Sequence, residues 1–141
     1  MGLLRRAFLG DGHLPADYRA QLATEEFLLV EEDLGGSLTF RNYRAPGRRS
    51  SLEKVAIGAA IAITRRRVVI WISGGKPGLK GKHMDVPLDD PRLRGIEVTA
   101  DGPDKVCLAY DPHAFRPDTS GRVEVRLKTP KAAEIVALLN R

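Results

Sequence analysis

Three histidines, His13, His83 and His113, and one cysteine, Cys107, are the residues of this chain with the widest chemical repertoire. Their spacing joins none of them into a reactive group. His83 and Asp85 alternate onto one face of an extended segment, but they supply two donors where a zinc site uses about three or four. Cys107 lies in the apolar run Val106 to Tyr110 with no base or orienting acid at a spacing that would activate it, so it reads as a buried thiol of a reduced compartment. The stretch Gly74-Gly75-Lys76-Pro77-Gly78 has the composition of a phosphate loop. It lacks the full glycine-to-lysine-serine spacing, and no helix follows to offer its N-terminal amides, which leaves a hairpin tip. These residues imply no enzyme, no metal and no cofactor.

The remaining chemistry is cationic. Formal net charge is +5 with an isoelectric point near 9.7, which favours encounter with anionic surfaces without choosing one. The clusters say more than the sum. Arg41, Arg44, Arg48 and Arg49 surround a first long loop, Arg65 to Arg67 fill a tight turn, and Lys76, Lys80 and Lys82 occupy the next loop. Arg41, Arg44, Arg48, Arg49, Lys76, Lys80 and Lys82 are therefore the candidate ligand-binding residues, for an anionic lipid or headgroup. Nucleic acid fits poorly, because these stretches carry no regular series of stacking aromatics. Tyr43 and Trp71 read as packing residues.

The elements that must position these cations are mostly strands. The segment Gly58 to Trp71 holds an apolar alternation that breaks at Thr64, crosses a basic turn and resumes, which is a hairpin signature. Upstream, Leu14, Tyr18 and Leu22 recur every four positions and predict a short helix. A strand follows over Phe27 to Val30, then a turn at Gly35-Gly36, then a second strand carrying Leu38 and Phe40 in antiparallel pairing with the first. Pro46 to Ser51 reads as a loop, and Val55, Ile57, Ala59, Ile61 and Ile63 form a strand that turns one face to the core. Further strands are expected around Met84 to Leu88, Ile96 and Val98, Val106 to Tyr110, and Val123 to Leu127, the last with Glu124, Arg126 and Lys128 on its polar side. Thr129 and Pro130 then supply an N-cap and a first helical residue for a terminal helix with Ala132, Ile135, Val136 and Leu139 along one stripe.

At 141 residues the chain suits one domain, and its 43% hydrophobic and 29% charged content is that of an ordinary globular protein. Residues 1–25 read as an N-terminal extension with a short helix, and residues 26–141 as the domain proper. Leu3, Leu4, Phe8 and Leu9 are expected to dock that extension onto the domain or onto a neighbouring subunit. No apolar run approaches the roughly 18 residues of a spanning helix, and the start of the chain has apolar segments too short for a signal peptide. A cytoplasmic location is the expectation.

About eight short strands closed by one helix resembles the pleckstrin-homology-like fold. Gly58-Ala59-Ala60-Ile61-Ala62-Ile63-Thr64 followed by Arg67-Val68-Val69-Ile70-Trp71 is similar to the wording of GRAM and bacterial pleckstrin-homology domains, and Met84 to Asp90 looks like the family's next strand. The run Gly36 to Gly47, with Val86-Pro87-Leu88-Asp89-Asp90-Pro91, further resembles short uncharacterised actinobacterial proteins. The resemblance implies a mainly β protein, a barrel of two antiparallel sheets capped by the C-terminal helix, acting as a non-enzymatic binding or assembly module. Protein partners or self-association are the first expectation and an anionic lipid surface the second. A small-ligand barrel or an enzyme is a more distant third.

Overall fold

The computed structural model describes residues 12–75 and 78–140. The expected content of strands with a helix near each end is observed: α1 (Ala16–Ala23), β1 (Phe27–Ala45), β2 (Arg48–Thr64), β3 (Arg67–Gly74), β4 (Gly81–Pro87), β5 (Glu97–Ala100), β6 (Lys105–Tyr110), β7 (Ser120–Lys128) and α2 (Ala132–Leu139). Short 3-10 turns at Pro91–Gly95 and Pro112–Ala114 join β4 to β5 and β6 to β7. The seven strands follow one hydrogen-bonded order, β4-β3-β2-β1-β7-β6-β5. That order is open, with β4 and β5 as its two ends, so hydrogen bonding neither splits it into two sheets nor closes it.

Two expectations at the start of the sheet are corrected. Phe27 to Ala45 is one strand rather than two separated by a turn. Neither Gly35 nor Gly36 takes a positive φ; Asp33 (φ 59°) and Asn42 (φ 48°) do so instead. Glycine inside a strand permits a bend as readily as a reversal, and nothing local to the sequence separates the two outcomes. Pro46 to Ser51 is likewise not a loop. Only Pro46 and Gly47 turn, with Gly47 at φ 71° as the third residue of a type II turn demands, and β2 begins at Arg48.

Contacts gather the chain into two compact units. Among the described residues, the first takes those up to Gly36 together with Ala56–Asp90, and the second takes Ser37–Val55 with those from Pro91 onward. β1 and β2 run through both. In the first unit, the alternation Ile57, Ala59, Ile61, Ile63 is buried as expected, but the opposite face is buried too, since Ala60 and Ala62 have no exposure. The cover is α1: Leu14, Leu22, Ala60, Ala62 and Val69 form one cluster, with Tyr18, Phe27, Val30 and Trp71 packed against it. Alanine at 60 and 62 leaves room for a helix to approach the sheet closely.

In the second unit, α2 lies against β5 and β6 and buries Ala132, Ile135 and Leu139. The expected N-cap is corrected: the helix starts at Ala132 with Lys131 at the cap position, and Thr129, buried, accepts the Lys131 N–H with its Oγ1 at 3.0 Å and so holds the turn that enters α2. Gly121 (φ 108°) is obligatory at its place in β7. A side-chain carbon there would collide with the Asn42 and Arg41 carbonyl oxygens of β1.

Candidate functional site

The turn at Pro46-Gly47 brings the first arginine group onto the ends of β1 and β2, within the second unit. Arg48 is committed internally: its guanidinium donates to Glu53 at 2.7 Å and lies over the rings of Phe40 and Tyr43, 4.5 and 5.2 Å from their centroids. Those rings meet edge to face at 5.0 Å, so Tyr43 is a packing residue as expected. Arg41 is committed as well, its Nε donating to Glu124 at 3.1 Å. Arg44 and Arg49 are exposed on β1 and β2, and neither forms an ion pair among the described residues. Lys54, which the sequence reading passed over, is in the same condition. Beside it stands Leu52, 63% exposed. This hairpin therefore presents Arg44, Arg49 and Lys54 as cations without an ion pair among the described residues, together with one exposed leucine.

The lysine group falls in the first unit, apart from Lys76, which lies outside the described residues. Lys80 is exposed ahead of β4. Lys82 on β4 reaches Asp85 at 3.6 Å and sits 5.6 Å from the centroid of the Tyr18 ring. Asp85 is the centre of a polar network that the sequence reading did not anticipate. It accepts from the Tyr18 hydroxyl at 2.9 Å and from Arg67 Nη1 at 3.2 Å. Arg67 in turn makes a side-on pair with Glu25, Nε to Oε1 at 3.0 Å and Nη2 to Oε2 at 2.9 Å, the bidentate geometry that guanidinium and carboxylate favour. Thr64, fully buried, donates to Glu25 at 2.9 Å and accepts the N–H groups of Arg66 and Arg67 at 3.0 Å each.

Those contacts set the protonation states. Burial works to raise the Glu25 carboxyl, but the hydrogen bonds from Arg67 and Thr64 prevail and hold it below the usual carboxylate range. For Tyr18, burial and the hydrogen bond to Asp85 act together and push the phenol well up. A tyrosine donor, the carboxyl groups of Asp85 and Glu25 and an arginine fixed between them tie α1 to β3 and β4. Trp71, half-buried with its ring 5.7 Å from Tyr18, belongs to the same packing.

A second network surrounds Glu124 in the other unit. The reading of β7 as half-buried puts Glu124 on its polar side, where it does stand with Arg122 and Arg126, but it is only 5% exposed. β7 lies between β1 and β6, and long side chains of β1 and of β7 itself cover this one carboxylate. Arg122 Nε donates at 2.8 Å, Arg126 Nη1 at 2.9 Å and Arg41 Nε at 3.1 Å. Burial opposes ionisation of this carboxyl, yet the three guanidinium groups together bring it down to about 2. Arg122 also reaches Glu97 at 2.8 Å and Arg126 reaches Asp101 at 3.4 Å, which leaves the group close to charge balance.

Of the seven candidate ligand-binding cations, Arg41, Arg44, Arg48 and Arg49 lie in one unit and Lys80 and Lys82 in the other. Cys107 is buried, and among the described residues no three of His, Cys, Asp and Glu are grouped to hold a metal ion. No described helix is long and apolar enough to cross a membrane. No protein-family model matches the chain, and no curated protein matches it.

Proposed function

We propose that this chain is a non-enzymatic binding module of pleckstrin-homology-like type, a two-sheet barrel capped by α2, that takes up a protein segment by strand addition. The fold proposal draws on the strand order β4-β3-β2-β1-β7-β6-β5 with the helix directly after β7. The observation that carries the binding reading is β4. It is an end strand of seven residues, and among the described residues no strand pairs with its outer side. An extended peptide laid there would find a row of main-chain donors and acceptors. The other end strand is a poorer template: β5 has four residues, and its Val98 carbonyl already accepts from Asn140 Nδ2 at 2.9 Å. Lys82 and Asp85 on β4 would discourage indiscriminate pairing.

Native mass spectrometry of the purified full chain, followed by hydrogen exchange on any complex found, tests this. Protection of amides 81–86 in a complex with a second copy or a co-purifying protein is the expected result. A strictly monomeric chain with no complex, or a complex that leaves amides 81–86 unprotected, would overturn it. A cytoplasmic setting accompanies the proposal and draws on the buried, unpaired Cys107.

A second reading, contact with an anionic membrane surface, is favoured by the exposed Arg44, Arg49 and Lys54, without ion pairs among the described residues, on the same hairpin as the exposed Leu52. Each such cation near an anionic leaflet contributes about 1 kcal/mol. Co-sedimentation with phosphatidylserine vesicles should then weaken with salt, and Arg44→Ala with Arg49→Ala should reduce it roughly tenfold or more. Salt-insensitive or absent binding would reject this reading.

A further inference from the structure

The connection between β2 and β3 forms one wall of a cleft of about 440 Å³, lined by Arg65, Arg66 and Arg67 on one side and by Pro87, Leu88 and Asp89 on the other. Its walls are tied together. The Arg66 N–H is held by Thr64, and the Arg66 carbonyl accepts the Leu88 N–H at 2.8 Å. The three arginines differ in what they have left to offer. Arg67 is consumed by Glu25 and Asp85. Arg65 pairs with Glu26 at 2.7 Å, but with the two side chains 65% and 70% exposed, that pair is worth little and is readily exchanged. Arg66 forms no ion pair and no side-chain hydrogen bond among the described residues.

We propose that this cleft binds a phosphate monoester that carries a neighbouring hydroxyl group, with Arg66 as the principal donor and Arg65 as the second. The planar guanidinium fork matches two phosphate oxygens. Because the Arg66 backbone is fixed on both sides, binding orders only its side chain. Asp89 on the facing wall decides the rest of the ligand. A bare phosphate would meet its negative charge, whereas an ester with an adjacent hydroxyl gives that carboxylate a donor to accept from. The volume suits a small phosphorylated polyol or sugar. In the antiparallel run β2-β3-β4, this connection lies at the opposite end from the β3–β4 connection that carries Lys80. The site shares no residue with the hairpin and meets β4 only at its last residue, Pro87, which has no N–H to offer an added strand, so it stands or falls apart from both readings above.

Amide NMR titration of the full chain tests it, with inorganic phosphate and glucose 6-phosphate as soluble probes and vesicles containing phosphatidylinositol 4-phosphate as the lipid probe. Saturable shifts at Arg65, Arg66, Leu88 and Asp89 are expected, at lower concentrations for the sugar phosphate than for inorganic phosphate. Arg66→Ala should weaken that binding roughly tenfold or more. This exposed side chain has no internal partner to lose, so the fold survives its removal. Asp89→Asn should narrow the gap between the two soluble probes. Vesicle binding sensitive to Arg66→Ala would identify a lipid headgroup as the source of the phosphate, and binding of the soluble ester alone would identify a free metabolite. Absence of saturable shifts with every probe, shifts elsewhere on the chain, or an Arg66→Ala variant that binds as well as the parent would overturn the proposal.

Discussion

Glu124 is surrounded by three guanidinium groups, and its ionised form is the one the fold accommodates. Its carboxyl is held at about 2 against an ordinary value of 4.5. The stability this contributes is complete above the unfolded value and is lost as pH falls from about 4.5 toward 2. For a buried carboxylate the shift corresponds to roughly 3 kcal/mol. Glu124→Gln should lower stability at pH 7 by about 3–5 kcal/mol, since Arg41, Arg122 and Arg126 then lose their common partner. Urea titrations at pH 7 and near pH 2 should show the difference between parent and variant shrinking at the lower pH; a difference that stays constant would remove Glu124 as its source. None of this was legible in the alternation of β7, which marks residue 124 as polar but not as covered. The cover comes in part from Arg41 on a neighbouring strand far away in the chain. Thr64 was partly legible, as the residue where the strand breaks. Its hydroxyl, which bonds Glu25, Arg66 and Arg67 at once, was not.

Among the elements, the strands with clean alternation or long apolar runs were readable: β3, β6, β7 and the later part of β2 stand where the sequence reading puts them, as does α2 with its buried stripe. The early strands were harder, because Gly35-Gly36 and Pro46 to Ser51 carry turn residues of which only Pro46 and Gly47 are used as a turn. The helix α1 was found by its spacing, but its place was not. It lies over Ala60 and Ala62, whose small side chains look in the sequence like a weakness in an otherwise branched strand. Ala62→Leu should therefore cost about 1–3 kcal/mol by overpacking. Amide exchange should quicken across Ala16–Ala23 while the register of β2 with β3 is retained. Unchanged exchange in α1 would mean that the helix is held by the Tyr18–Asp85 bond rather than by packing.

For the molecule as a whole, the consequence of two long shared strands is cooperativity. The chain has one tryptophan and one cysteine, and they fall in different units: Trp71 packs in the first and Cys107 is buried in the second. Because β1 and β2 belong to both units, neither can lose its strands without the other losing part of its own. Urea unfolding followed by Trp71 fluorescence and by the reactivity of the Cys107 thiol should give coincident midpoints, as two-state behaviour requires. Separated midpoints would show two independently stable halves. The sequence by itself determined the mainly β composition, the position of most strands, both helices and the cationic turns, since these follow from periodicity and turn chemistry over a few neighbouring residues. Only the tertiary structure decided that two glycines extend a strand instead of reversing it, that Arg41, Arg48 and Arg67 are spent on internal carboxylates, and that Arg44, Arg49, Lys54 and Arg66 are left available. A side chain's freedom depends on partners brought to it from distant parts of the chain, and local pattern carries no record of them.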